Sequence, residues 1–127
     1  MTIIVLTTKA PAAIGPYSQA IKAGNLLFTS GQIPIDPATG KLAGETIEMQ
    51  TTQAMNNIVA IVTEAGGTVE QIVKTTIFIQ DMNDFPVVNR TYEKFFAAGR
   101  YPARSCVEVS RLPKDVLVEI EAIACIA

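Results

Sequence analysis

The chain contains no histidine. That removes the commonest general base, the histidine-dependent serine and cysteine triads, and most zinc sites. It has only two cysteines, Cys106 and Cys125, which in a chain without secretory features read as reduced thiols. It also lacks positive charge in excess: 10 basic against 12 acidic residues leave a formal net charge of -2 and a pI near 5.0. Nucleic-acid binders need a basic stripe to displace counterions. The densest basic stretch here, Arg100, Arg104, Arg111 and Lys114, is interrupted by Glu108 and Asp115, so nucleic acid is not the expected partner. No run approaches the roughly 20 apolar residues of a membrane span. Met1–Leu6 lacks the basic region and long apolar segment of a signal peptide. A soluble, cytoplasmic protein without a membrane partner is expected. The Walker and dinucleotide glycine patterns are both absent, as are internal repeats and linkers.

What is present is apolar. Of the 127 residues, 49% are hydrophobic and 17% charged, with a mean hydropathy of +0.31. The length suits a single domain, residues 1–127, with one core. A charged share below the usual quarter implies that some apolar surface meets another subunit, and an oligomer is expected.

Ile3–Leu6 reads as a short strand, and the Ala/Pro/Gly-rich Ala10–Gly15 as irregular chain. Tyr17–Lys22 and Leu26–Ser30 flank Gly24-Asn25 and predict a hairpin. Asp36-Pro37-Ala38-Thr39-Gly40 is a turn. Thr46 can cap a helix running to about Ala65, with Ile47, Thr51, Ala54, Met55, Ile58, Ile61, Val62 and Ala65 on one apolar face, and Gly66-Gly67 ends it. Val73–Gln80 is β-branched with period two, a strand. Asn83 or Asp84 then caps a second helix that tolerates Pro86 in its first turn and buries Phe85, Val88, Tyr92 and Phe95.

Ala103–Val109 and Val116–Ile126 are both strands by composition. Joined as a hairpin through Ser110–Asp115, they would set Cys106 opposite Glu119 and Arg104 opposite Glu121. Alternation puts Val116, Val118, Ile120, Ala122, Ala124 and Ile126 on a core face. Arg104, Cys106, Glu108, Glu119 and Glu121, mixed with Leu117, Ile123 and Cys125, would share the other, as at a subunit interface that holds a polar site. The element order predicts an α+β fold, two helices covering one face of a mixed sheet whose second face needs a partner.

Several residues could carry chemistry. The planar fork of Arg104 suits a substrate carboxylate, or it could pair with Glu121 or Glu119 across the hairpin. Glu121, directly opposite Arg104 in that register, is the better candidate for pairing. Glu119 is freer to hold and deprotonate a water. Cys106 has no histidine to activate it and reads as a packed thiol with no covalent role. Tyr17 and Ser30 offer hydroxyls, and Gly31 allows close approach to the backbone, although turn chemistry alone explains these stretches. Asn89 lies one residue after a buried helical position, bordering a pocket or solvated.

Together these residues carry a resemblance. Pro102-Ala103-Arg104-Ser105-Cys106-Val107-Glu108-Val109, followed by Leu112-Pro113-Lys114-Asp115 and Val118-Glu119-Ile120-Glu121-Ala122, resembles the C-terminal signature of the RidA (YjgF-type, reactive-intermediate deaminase) family. Ala12–Gln19 and Thr29–Pro34 are similar to its N-terminal patterns, and Lys74-Thr75-Thr76, Asn83-Asp84-Phe85 and Val88-Asn89 to its middle. The resemblance spans essentially the whole chain and implies a chorismate-mutase-like α+β fold, assembled as a homotrimer with a ligand cleft at each subunit interface. It implies hydrolysis of 2-aminoacrylate, its imine tautomer and 2-iminobutyrate, released by pyridoxal-phosphate enzymes, to 2-keto acids and ammonia, with no metal and no cofactor. Carried over by position, Arg104 binds the substrate carboxylate, Glu119 polarises the attacking water, and Tyr17, Ser30, Gly31, Asn89 and the Cys106 backbone shape the cleft. The chain departs from the pattern at none of these positions; Ser18 and Ala20 are small variations at the cleft entrance. Three other readings compete: an endoribonuclease, disfavoured by the missing histidine and acidic pI; a non-catalytic sensor of small carboxylates; and a holdase chaperone.

Overall fold

A computed structural model describes residues 1–127. The first helix, α1 (Ile47–Glu64), begins where Thr46 places it: the Thr46 hydroxyl accepts from the Met49 N–H at 3.1 Å. Gly66 takes φ +90° as the chain leaves the helix, a conformation a side chain would resist. The buried face of α1 holds Thr51, Ala54, Met55, Ile58, Ile61 and Val62, with Ile47 and Ala65 only half-buried at its ends. It also buries two amides, Gln50 and Asn57.

The second helix, α2 (Phe85–Glu93), carries Pro86 in its first turn, but neither expected residue caps it with its side chain. The Asp81 carboxylate accepts from the Asn83 N–H at 2.9 Å and caps a 3-10 turn, Met82–Asp84, which feeds straight into α2. The helix therefore inherits its first-turn geometry from the turn before it. Val88 and Tyr92 are buried and Phe85 and Phe95 half-buried, as their spacing requires.

The strands in chain order are β1 (Thr2–Val5), β2 (Ala20–Ala23), β3 (Leu26–Thr29), β4 (Ile35–Asp36), β5 (Lys41–Leu42), β6 (Ile72–Ile79), β7 (Ala103–Glu108) and β8 (Val118–Cys125). β4 and β5 form a small separate hairpin. The other six make one mixed sheet ordered β1-β2-β3-β8-β6-β7, in which only β6 and β7 run parallel. Both helices lie on one face. The core beneath them includes Leu27, Met55, Ile58, Ile61, Ile77, Ile79, Val118 and Ile120. No helix is long and apolar enough to cross a membrane.

The expected hairpin of the last two strands does not form. β6 lies between them, paired with β7 on one side and β8 on the other. The reason lies in the preceding segment: β6, α2 and β7 form a strand–helix–strand unit, and such a crossover makes parallel neighbours. The apolar β6 takes a central place, and β7, with Arg104, Ser105 and Glu108, becomes an edge strand.

This changes which residues share a face. Alternation along β8 is as expected, with Val118, Ile120, Ala122 and Ala124 on the core side. Arg104, however, pairs through Thr75 with Ala122, and Cys106 pairs through Ile77 with Ile120. Arg104 and Cys106 thus lie on the helix-covered face, and Glu108, two residues further along, follows the same alternation. Glu119 and Glu121 lie on the open face, in register with Phe78 and Thr76.

Candidate functional site

The site residues fall into two groups on opposite faces of the sheet. Thr75 and Phe78, in register with Arg104 and Glu119 respectively, are three residues apart on β6 and point to opposite sides.

The first group surrounds Arg104, at the edge between β7 and α2. The half-buried Arg104 donates from Nη1 to Oδ1 of Asn89 at 2.6 Å. Its guanidinium carbon lies 5.2 Å from the ring centre of Phe85 and 5.4 Å from that of Tyr92, within range of cation–π attraction. The Tyr92 hydroxyl shares a buried hydrogen bond of 2.7 Å with Thr75 Oγ1. Burial pushes the Tyr92 phenol up, outweighing the Thr75 bond and the Arg104 charge, so it stays neutral. No carboxylate pairs with Arg104, because the single ion pair of the chain is the exposed Arg111–Asp115 contact at 2.7 Å. The pairing with Glu121 or Glu119 weighed from the sequence is absent, and Glu121 is exposed on the other face. The result is a half-buried cation held by one amide and two rings, with donors to spare. Nearby Cys106 packs against the core, and burial raises its thiol above the usual range against the pull of Arg104. That is the opposite of what a nucleophilic cysteine requires.

The second group surrounds Glu119 in a cleft of about 790 Å³ lined by Tyr17, Ser30, Gly31, Gln32, Pro113 and Lys114, among others. Burial, and then repulsion from Glu121, raises the Glu119 carboxyl above the usual range. Glu119 packs into the space beside Gly31, where a Cβ would stand 2.8 Å from Glu119 Cδ and 3.1 Å from Cγ and would push the carboxylate aside. An isolated bridge between Gln32 and Ile120 locks this chain segment beside β8, with Gln32 N to Ile120 O at 2.7 Å and the return bond at 3.1 Å. The Ser30 hydroxyl donates to Ser18 O at 2.6 Å, which leaves its lone pairs for a ligand. Tyr17 is exposed at the cleft wall, its N–H donating to Gly15 O.

The cleft walls are pinned by buried amides that periodicity alone did not reveal. Gln19 Nε2 donates to the carbonyls of Thr7, Ala10 and Pro11, and its Oε1 accepts from the Thr7 N–H at 2.7 Å. Asn57 Nδ2 donates to Ile33 O and Ile35 O at 3.1 and 3.0 Å. Gln50 donates to Gly44 O and accepts from the Leu117 N–H. For Gln50 and Asn57 the available signal was an amide at a core-facing helical position, where a buried polar group demands partners; Gln19 stands in irregular chain and offered none. Phe85 and Tyr92 were read as core; the structure adds their contact with Arg104. No group of three or more His, Cys, Asp or Glu side chains could hold a metal ion.

The α+β fold thus carries a guanidinium without an ion-pair partner on one face of its sheet and a partly desolvated carboxylate on the other. The family model described as Endoribonuclease L-PSP matches residues 7–126, and the chain belongs to this family, the RidA/YjgF family of the sequence motifs. Among curated relatives, the 2-iminobutanoate/2-iminopropanoate deaminase of Salmonella typhimurium is 56% identical over 126 residues, covering 98% of each chain. A RutC family protein of Haemophilus influenzae is 57% identical over 127 residues, covering 98% of this chain and 97% of its own. Among solved structures, a conserved Rid family protein, YyfA of Yersinia pestis, superposes with a TM-score of 0.96 at 52% identity, covering 99% of this chain and all of its own. Escherichia coli TdcF with bound serine superposes at 0.94 with 48% identity, covering 98% and 99%.

Proposed function

We propose that the chain, a single domain over residues 1–127, is a cytoplasmic 2-iminobutanoate/2-iminopropanoate deaminase. It hydrolyses reactive imines and enamines released by pyridoxal-phosphate enzymes to 2-keto acids and ammonia. The observation that carries this reading is the half-buried Arg104 with no anionic partner. A cation held this way has its charge unmet until an anion arrives. Full-length similarity to enzymes named for this reaction supports the substrate.

In the reaction, Arg104 takes the substrate carboxylate in a two-pronged contact while Asn89 fixes the fork. Glu119 accepts a proton from a water held among Tyr17, Ser30 and Gly31, and the hydroxide adds to the electrophilic imine carbon. Collapse of the resulting carbinolamine, with protons delivered to nitrogen, releases ammonia and leaves the 2-keto acid. Positioning together with one carboxylate base suffices for an intrinsically reactive carbon. The raised Glu119 carboxyl is a stronger base than an exposed glutamate.

Arg104 and Glu119 lie on opposite faces of one sheet, so each complete site takes Arg104, Asn89 and Cys106 from one subunit and Glu119, Tyr17, Ser30 and Gly31 from a neighbour. We assign a homotrimer with three such clefts. The open sheet face supports this assembly: Ile4, Ile21, Phe28 and Ile123 stand in register across β1, β2, β3 and β8, and Ile4 is 62% and Phe28 42% exposed.

The test generates 2-aminoacrylate and 2-iminobutyrate with a threonine/serine dehydratase and follows keto-acid release with and without the protein. Acceleration that disappears in Arg104→Ala is expected; no acceleration for either imine would contradict the reading. The serine bound in the TdcF structure favours one alternative, a non-catalytic carboxylate binder. Glu119→Gln separates the two, since a deaminase loses turnover while keeping affinity and a pure binder shows turnover in neither form.

A further inference from the structure

The turn before β8 contains two consecutive residues in the left-handed region, Lys114 at φ 57° and Asp115 at φ 56°. Asp tolerates this conformation, but a long side chain such as that of Lys114 avoids it unless its surroundings impose it. Here the surroundings do. Asp115 N–H donates to Leu112 O at 3.0 Å and Val116 N–H to Pro113 O at 3.3 Å. Arg111 clips Asp115 in a two-pronged contact, Nε to Oδ1 at 2.7 Å and Nη2 to Oδ2 at 3.3 Å. Buried Leu112 and Val116 anchor both ends. Backbone strain that is held so firmly concentrates at functional positions.

What the turn presents is Lys114, at the wall of the Glu119 cleft. It is the only cation among the lining residues and Glu119 the only anion. Lys114 takes part in no ion pair, the single pair being Arg111–Asp115. The chain as a whole carries a net charge of -2, which disfavours the approach of an anionic substrate. Lys114 sets one cation at the cleft wall to offset the Glu119 carboxylate there.

We propose that Lys114 is a substrate-capturing residue, held at the cleft by the strained turn so that its ammonium draws in the carboxylate of the incoming 2-imino acid. It hands the substrate on to the Arg104 that the neighbouring subunit contributes to the cleft and takes no part in the bond-making steps. The proposal rests on the deaminase reading and adds a specificity element to it, a preference for anionic over neutral electrophiles.

The test compares wild type with Lys114→Asn, which tolerates the left-handed backbone without charge, Lys114→Gly, which removes the strain, and Lys114→Arg, which keeps the charge. Capture predicts an unchanged kcat and a kcat/KM lowered about three- to tenfold at low salt in the Asn and Gly variants. The difference should fade as salt screens the field, the Arg variant should behave as wild type, and the melting temperatures of the Asn and Gly variants should not fall. Equal kcat/KM and equal salt dependence in all four proteins would overturn the proposal, as would a loss confined to kcat. Should wild type turn over neither imine, the deaminase reading fails separately. Calorimetric affinity for 2-ketobutyrate in the same variants then decides the capture claim, and an affinity unchanged by loss of the ammonium overturns it.

Discussion

Replacing Arg104 by Met should nearly abolish activity while leaving the fold intact. Within the subunit, the guanidinium makes one charge-assisted hydrogen bond, to Asn89 at 2.6 Å, and stacks on two rings at 5.2 and 5.4 Å. Losing that bond costs about 1.5–3 kcal/mol, and the ring contacts about 0.5–1 kcal/mol each at a half-exposed position. Against this, the wild-type cation is partly desolvated with no carboxylate nearby, a penalty of up to several kcal/mol that Met removes. Met also keeps the length and packs well on the rings of Phe85 and Tyr92. The opposing changes nearly cancel, and the melting temperature should move by only about 5 °C or less. Activity has no such compensation. Two charge-assisted bonds to the substrate carboxylate at about 1.5–3 kcal/mol each amount to roughly 3–6 kcal/mol, or about 10²–10⁴-fold in kcat/KM. The coupled imine assay and a thermal melt on the same preparation read both quantities. Activity within about threefold of wild type would show that the carboxylate binds elsewhere. A melting temperature lowered by much more than the ~5 °C bound would show that Arg104 is structural.

Two further substitutions address the Glu119 side. Gly31→Ala places a methyl group 2.8 Å from Glu119 Cδ and forces the carboxylate to swing away. Displacing a catalytic group by about 1 Å costs on the order of 10²-fold, so kcat should fall by that order with little change in the melting temperature; an unchanged kcat would remove Glu119 from the chemistry. The pH dependence has a definite sign. Burial and then Glu121 raise the Glu119 carboxyl, so activity requires a pH above that raised value and falls as acid protonates the base. The same shift means that the ionised Glu119 costs the folded state stability above its folded pKa, a cost relieved on acidification. Glu121→Gln removes the repulsion and should move the acidic limb of the kcat profile to lower pH; a limb that stays put or moves upward contradicts the assignment.

Much of this was legible in the chain because short-range signals are strong. Thr46 and Gly66 bracket α1 because a cap hydroxyl and a left-handed glycine act within a few residues of where they stand. Alternation along β8 correctly separates Val118, Ile120, Ala122 and Ala124 from Glu119 and Glu121. Alternation tells which face a residue takes relative to its own strand, not which strand lies beside it. Alternation alone puts Arg104 on the face of Glu119, whereas β6 between β7 and β8 puts the two on opposite faces. The pinning amides Gln19, Gln50 and Asn57 make contacts up to 67 residues away in the chain, beyond the reach of any periodicity. The division of the motif residues into a guanidinium half and a carboxylate half appears only once the sheet order is known.

That division is the heart of the account, and mixing subunits tests it most directly. Arg104→Met and Glu119→Gln proteins, each inactive alone, would be co-refolded in equal amounts and assayed for imine hydrolysis. If every site takes Arg104 from one subunit and Glu119 from the next in a cyclic trimer, about a quarter of the sites in a random mixture are intact on both sides. Activity should recover to about that share of wild type. Mixed trimers that assemble and remain as inactive as their parents would contradict a site shared between subunits.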